Sequence, residues 1–227
     1  MKARAGGLNP LWGALKICDA LHSAFITGVT YLYRNTKVPS GLNAMNVVAF
    51  GSLHARNNAK APQLGFTWPQ IKRAFHTHIV KYCEAQVPRI GEAELKEQLT
   101  RMYGGYISGP GWEERFNTLS VLEFFREGIL KPYCAERGES KAIIAGISPS
   151  TVVHLMELVA RDGFIEIPRE ALAGKAGSPH ISGTNGELAF LVQSGMLSMC
   201  PGPEAYRIEA EWRFRVPNEE VAHSFFQ

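Results

Sequence analysis

The sequence predicts an α+β protein that is mostly helical, and three observations support this. Apolar residues recur every three or four positions in most segments between turn signals, which is the spacing of helices with one buried face. Runs of strand type are short and few. The composition, 45% hydrophobic and 20% charged over 227 residues, supplies enough apolar material for a packed core.

Composition and charge exclude two classes of protein. The charged fraction is too low, and the aromatic fraction of 10% too high, for a disordered chain. No stretch approaches the roughly 20 uninterrupted apolar residues that a membrane-spanning helix needs, so no membrane insertion is expected. The net charge of +3 comes from scattered Lys and Arg residues and predicts an ordinary solvated surface.

The cysteines predict an intracellular protein. Cys18, Cys83, Cys134 and Cys200 are far apart, and no CxxC or CxxH spacing is present, so no zinc site and no other metal site is expected. They are predicted to be buried, reduced thiols, in the cytoplasm, the nucleus or an organelle matrix. Residues 1–10 are basic and Ala-rich but lack the apolar core of a secretory signal, so no secretory signal is expected. An alternative interpretation of these residues is the stub of an organelle transit peptide.

The first part of the chain predicts a helix, a short strand and then a long loop. Residues 1–20 are interpreted as an extension, with apolar residues at a helical period over 11–24. The apolar run at 24–29 ends on Thr27-Gly28 and is typical of a buried strand that meets a polar turn. Residues 35–61 are rich in Asn, Gly, Pro and Ser, which predicts a loop.

Helices are predicted through the middle of the chain. Thr67 is expected to cap a helix that runs to about residue 86, with Pro69 in its first turn. Acidic residues open a second helix over 92–102, and a glycine-rich loop follows at 104–111. Asn117 is expected to cap a third helix over 119–127. Pro149-Ser150 opens a fourth.

The last part of the chain predicts a change of architecture. A loop over 174–186 precedes a short helix at 188–194, and Gly195 closes that helix. Strands are expected at 196–200 and at 212–216, where apolar and polar residues alternate. A final helix begins at 217–220. A helix, a two-stranded ribbon and another helix are the outline of a winged helix, and the predicted domain spans 146–227.

No catalytic motif is found in the sequence. The segment 174–178, GKAGS, lacks the Ser or Thr after the lysine that a phosphate-binding loop requires. His76 and His78, two positions apart on a helix, point to different faces and are not a ligand pair. Glu166 is followed by Pro168 where a restriction-type nuclease has a lysine. We therefore expect no enzyme activity, no catalytic residue and no cofactor.

Short motifs in sequence order nevertheless resemble those of one family. They are FITGV at 25–29 with GLN at 41–43, LGFT at 64–67, MYGGY at 102–106, FNTLSVL at 116–122, LAFLVQSGMLS at 188–198 and RFRVPNEEV at 213–221. Together they resemble the predicted AAA-ATPase-like family, P-loop NTPases that are often fused to a PD-(D/E)XK nuclease and that have relatives in Crinkler-type effectors. The resemblance covers the C-terminal half of that module.

The sequence also departs from the family pattern. Gly104 replaces the aspartate of "DGY", Thr118 replaces the proline of "NPWSVL", and Cys134 stands where a tryptophan is usual. The Walker A loop, the Walker B acids and the nuclease motifs have no counterpart. The resemblance implies that residues 21–145 are the sensor strand and helical lid region of a degenerate module. Thr27 would then be a vestigial sensor position, able to contact a terminal phosphate only with the P-loop and magnesium beside it.

This combination favours the first of three alternative functions. The first is a non-catalytic structural or adaptor protein that takes part in a larger assembly with protein partners. The second is a nucleic-acid-binding winged-helix module that contacts phosphates through Arg207, Arg213 and Arg215. The third is one half of an NTPase, active only with a separately supplied P-loop portion.

Overall fold

The structure is a computed structural model that describes residues 64–172, 183–206 and 210–226. It confirms an α+β protein that is mostly helical. Its helices are α1 (Trp68–Ala85), α2 (Glu92–Tyr103), α3 (Thr118–Glu127), α4 (Tyr133–Glu136), α5 (Glu139–Ile144), α6 (Pro149–Asp162), α7 (Arg169–Leu172), α8 (Thr184–Gln193) and α9 (Glu219–Phe225). Its strands are β1 (Ile165–Pro168), β2 (Ser198–Met199) and β3 (Glu211–Arg215).

Side-chain caps fix where the main helices begin. The Thr67 hydroxyl accepts from the Gln70 backbone N–H, and the Gln70 side chain accepts from the Thr67 N–H, so both free donors at the start of α1 are satisfied. Asn117 caps α3 by accepting from two backbone N–H groups. These two predicted caps are confirmed. Ser148 and Asn218 cap α6 and α9 in the same way.

The first hydrophobic core lies among α1, α2, α3 and α4. Its fully buried side chains include Leu95, Leu99 and Tyr103 of α2 and Phe124 of α3. The Tyr103 hydroxyl donates to the Lys131 carbonyl at 2.9 Å and accepts from the Lys131 N–H at 3.1 Å. This aromatic side chain therefore fills the core while its polar end holds the segment that leads into α4.

The second core is built on a three-stranded antiparallel sheet of order β1-β3-β2. Ile165 and Met199 both pair with Phe214 of the central strand. Trp212 and Phe214 are buried and alternate with residues that are less buried, so the predicted alternation in this strand is confirmed. Helices α6, α7 and α8 contact the sheet or one another on its apolar side.

Each core is also contacted by a segment from the other half of the chain. Ile107, which follows the glycine pair at 104–105, is buried in the second core, where its backbone N–H donates to the Ser198 hydroxyl at 2.7 Å. In the other direction, α9 follows the sheet but contacts α2, α4 and α5. Contacts therefore connect residues on the two sides of the boundary predicted between 145 and 146. That domain boundary stays a prediction.

Some element boundaries differ from the sequence-based expectation. Helix α8 begins at Thr184, so it includes Asn185 and Gly186, which were expected to be loop. Strand β2 has two residues rather than five, because Met196 and Leu197 form the turn whose N–H groups return to the Leu191 carbonyl. The helix expected at 11–24, the strand at 24–29 and the loop at 35–61 lie outside the described residues.

Within the described ranges, no helix combines the length and the apolar character that crossing a membrane requires.

Candidate functional site

Among the described residues, the carboxylate of Glu220 in α9 is a buried polar group, 1% exposed, that joins distant parts of the chain. The Ser120 hydroxyl of α3 lies 2.9 Å and 2.8 Å from the two carboxylate oxygens and donates to them. The backbone N–H of Cys134 in α4 donates to the same carboxylate at 2.9 Å. One side chain of the last helix thus joins two helices of the first core.

Asn117 and Cys134 extend this arrangement on the side of α3. The Asn117 side-chain oxygen accepts from the N–H groups of Leu119 and Ser120, and its amide nitrogen donates to the Cys134 Sγ at 3.3 Å. The Cys134 Sγ also lies 3.3 Å from the Ser120 Oγ. These contacts therefore connect the cap of α3 and the start of α4 to Ser120, whose hydroxyl binds Glu220.

Asn218, the cap of α9, connects that helix to the glycine pair at 104–105. Its side-chain oxygen accepts from the Val221 N–H, and its amide nitrogen donates to the Gly104 carbonyl at 2.6 Å. Gly105 has a φ of +85°, and a Cβ on it would lie 2.0 Å from the Pro217 carbonyl oxygen. Only glycine allows the two backbones to approach this closely.

We call the side chains of Tyr106, Asn117, Ser120, Cys134, Asn218 and Glu220 the Glu220 cluster. Burial raises the pKa of Glu220 above its usual value, and the bonds from Cys134 and Ser120 oppose that rise. Burial also raises the pKa of Tyr106, while hydrogen bonding to the Asn218 side chain lowers it. Among the described residues, the groups that hydrogen-bond to the Glu220 carboxylate are neutral: the Ser120 hydroxyl and the Cys134 backbone N–H.

A hydroxyl beside a carboxylate is a reactive pair only where a substrate reaches it. Ser120 is 0% exposed and Glu220 is 1% exposed, and the Ser120 hydroxyl donates to Glu220. The geometry therefore supports cross-linking of three chain segments rather than attack on a substrate. The sequence contains no signal for this long-range contact, so the motifs by themselves predict no role for Ser120 or Glu220.

The arginines expected at the wing have acidic partners within the chain. Arg213 forms an ion pair with Glu166 of β1 at 3.0 Å, and its guanidinium lies over the Phe164 ring. Arg215 lies 3.9 Å from Glu114, and its buried Nε–H has no hydrogen-bond partner in the part of the chain that the structure describes. These acids come from distant segments, a pairing that the sequence did not indicate. Arg207, the third predicted contact, lies outside the described residues, as does Thr27.

A shallow groove of about 420 Å³ lies beside Arg215. The Trp112 ring, Tyr206 and the turn at 201–203 line it, and Glu114 and Arg215 are its charged groups. Because one acid and one base are present, the groove has no net preference for ligand charge. Within the described residues, no set of three or more His, Cys, Asp and Glu side chains is placed to hold a metal ion. Cys83, Cys134 and Cys200 are thiols rather than disulfides.

Comparison of the chain with protein-family models, with curated proteins and with solved structures gave no match.

Proposed function

We propose that the chain is a non-catalytic structural or adaptor protein, derived from the C-terminal half of an AAA-ATPase-like module, that acts as a component of a larger assembly. The observation that carries the proposal is the Glu220 cluster. The polar residues of three of the motifs that resemble the family, Tyr106, Ser120 and Glu220, meet there and bond within the protein. Such side chains serve to hold segments together rather than to act on a substrate.

We further propose that residues 146–227 form a winged-helix-like domain. Two observations favour this: the order α6-β1-α7-α8-β2-β3 and the antiparallel sheet order β1-β3-β2. Helix α8 stands at the position that enters a DNA groove in nucleic-acid-binding members of such folds. Its sequence, TNGELAFLVQ, contains no Lys or Arg and one Glu, which favours a role in packing or protein contact over a role in binding phosphates.

The test of the proposed function is the size of the particle that the full chain forms in its source cells. A tagged full-length chain, expressed at its native level, is expected to elute well above its 25.1 kDa mass with a partner present in fixed proportion. The matched control is the chain with Ser120→Ala and Glu220→Ala, which is expected to lose the partner because the joined segments separate. Elution of the unmodified chain as a monomer contradicts the proposal.

Two further measurements compare the alternatives. Thermal stabilisation of the isolated chain by ATP and Mg²⁺ would favour the NTPase half, because a folded-state ligand raises the melting temperature by mass action. Tight, salt-sensitive binding of duplex DNA or RNA would favour the nucleic-acid module. The adaptor proposal expects neither result.

A further inference from the structure

An aromatic surface lies where α1 meets α3, and we call it the Phe75 surface. The Phe75 and Phe125 rings stack at a centroid distance of 4.5 Å and an interplanar angle of 8°. Its members are Phe66, Phe75, His78, Leu122 and Phe125. Leu122 lies one turn before Phe125 on the same side of α3 and is 44% exposed. The surface is apolar and partly open to solvent.

Positive charge borders this surface. The bases of α1 are Lys72, Arg73 and Lys81, and its one acid, Glu84, pairs with Arg89 at 2.6 Å. Lys81 lies beside the Phe75 surface, whereas Arg73, two positions from Phe75, points to another side of the helix. Lys81 lies one turn after His78, so both are at the same edge. Among the described residues, no ion pair involves Arg73 or Lys81. Lys72, by contrast, pairs with Glu92 of α2 at 2.8 Å.

The acidic residues of α3 do not offset this charge. Glu123 pairs with Arg126 and Arg137, and Glu127 pairs with Arg126 and Lys131. These carboxylates are already neutralised by bases of α3 and the segment that follows. The Phe75 surface therefore combines exposed apolar area with a positive edge, which is complementary to a partner that is apolar on one face and acidic on the other.

We propose that the Phe75 surface binds an acidic amphipathic helix of another protein. The inference rests on the proposed adaptor function and names the chemistry of its partner. The apolar face of such a helix would cover Leu122 and the edges of Phe75 and Phe125, and its carboxylates would face Lys81. Apolar contact provides the affinity, while the charges select the partner and its orientation.

The ring geometry argues against a nucleic acid at this surface. Bases bind by stacking on the open face of an aromatic ring. The facing sides of Phe75 and Phe125 are occupied by each other, and the Phe66 ring contacts Phe75 at 71°. Leu122 adds aliphatic area that a base does not require. The surface therefore favours an apolar helix face over exposed bases.

The experiment selects peptides of about 16 residues, or four helical turns, from a random display library against the folded full-length chain. Enriched peptides are expected to carry apolar residues every three or four positions and Asp or Glu elsewhere. Synthetic copies then give dissociation constants. Leu122→Asp and Lys81→Glu are each expected to weaken binding about tenfold or more, which is a loss of about 1.4 kcal/mol.

Matched controls change the same residue types elsewhere. Val153→Asp alters an apolar side chain that is 56% exposed on α6, and Lys96→Glu reverses an exposed charge on α2. Both are expected to change the affinity less than about twofold, since they touch no part of the surface. Leu122 and Lys81 are exposed enough that their variants should fold, and Leu122→Gln replaces Leu122→Asp if the aspartate variant does not.

Several results would overturn the inference. Enrichment of basic peptides or of peptides without a helical pattern would contradict it, and so would binding that does not respond to Leu122→Asp and Lys81→Glu. Leu122-dependent binding of a single-stranded oligonucleotide, or of vesicles containing phosphatidylserine, in place of acidic peptides would assign the surface to those ligands. If the native assembly persists with both substitutions, this inference fails while the adaptor function stands. If the unmodified chain is monomeric, the adaptor function fails first.

Discussion

Ser120 and Glu220 lie 100 residues apart in sequence, and the serine hydroxyl donates to the glutamate carboxylate at 2.8 Å in the buried interior. This contact connects α3 of the first core to α9, which follows the sheet of the second. A buried polar pair costs free energy unless each group is satisfied, and here the Cys134 backbone N–H supplies the further donor. The pair therefore fixes the position of α9 relative to α3 and α4, and it also contributes to stability.

Ser120→Ala is expected to destabilise the protein by about 1–3 kcal/mol, because it removes a hydrogen-bond donor from a buried carboxylate. Urea unfolding followed by circular dichroism measures the change. Thr77→Ala, at an exposed position of α1, is the control and should change the free energy of unfolding by less than about 0.5 kcal/mol. Equal effects of the two substitutions would show that the Ser120–Glu220 contact contributes nothing.

The stability of the protein should depend on pH through Glu220. Burial raises the pKa of Glu220 in the folded state above the usual 4.5, so the folded state binds this proton more readily than the unfolded state does. The contribution of this group is therefore fully present below the unfolded pKa and is lost as pH rises through the folded pKa. Unfolding free energies measured from pH 4.5 upward test this.

Glu220→Gln isolates that contribution, because an amide has nearly the same shape and does not titrate in this range. The unmodified protein should lose stability relative to Glu220→Gln as pH rises. Glu127 and Asp162 have pKa values that their ion pairs lower, so they act in the opposite direction, but they are present in both proteins and cancel. A difference that stays constant with pH would contradict the assignment.

Gly105→Ala is expected to cost about 2–3 kcal/mol, since a side chain there is strained at positive φ and also collides with the Pro217 backbone. Gly163→Ala is the matched control, because Gly163 has a φ of +75° but nothing lies within 4 Å of an added Cβ. It should show the strain alone, about 1 kcal/mol. Thermal or urea unfolding compares the two variants, and equal losses would mean that the close approach is relieved at no cost.

The sequence predicted the local structure well, because caps and periodicity are local signals. Thr67 and Asn117 cap their helices as expected, and the alternation around Trp212 gives the central strand. The short helices α4, α5 and α7 were not predicted, since four to six residues carry too little pattern. Their positions are set by contacts with distant segments.

The candidate site was much less predictable, because its members meet only in the folded chain. Asn117, Cys134 and Asn218 each had a local interpretation, as a cap, a thiol and a helix start. Nothing in their spacing indicates that one carboxylate, from Glu220, would organise all three segments. The partners of the wing arginines were missed for the same reason, since Glu166 and Glu114 are remote in sequence from Arg213 and Arg215.

Binding of duplex DNA should be weak and should depend only shallowly on salt. Arg213 is already paired with Glu166, so using it on a phosphate means breaking that ion pair. Fluorescence anisotropy at several salt concentrations should give a slope of log K against log salt no steeper than about −2, which corresponds to about two phosphate contacts. Arg213→Ala and Arg215→Ala should leave the slope unchanged, and Lys96→Ala is the control for loss of one surface charge. A slope of about −5 or steeper that falls with the wing substitutions would instead establish phosphate contacts at the wing and favour the nucleic-acid module over the adaptor.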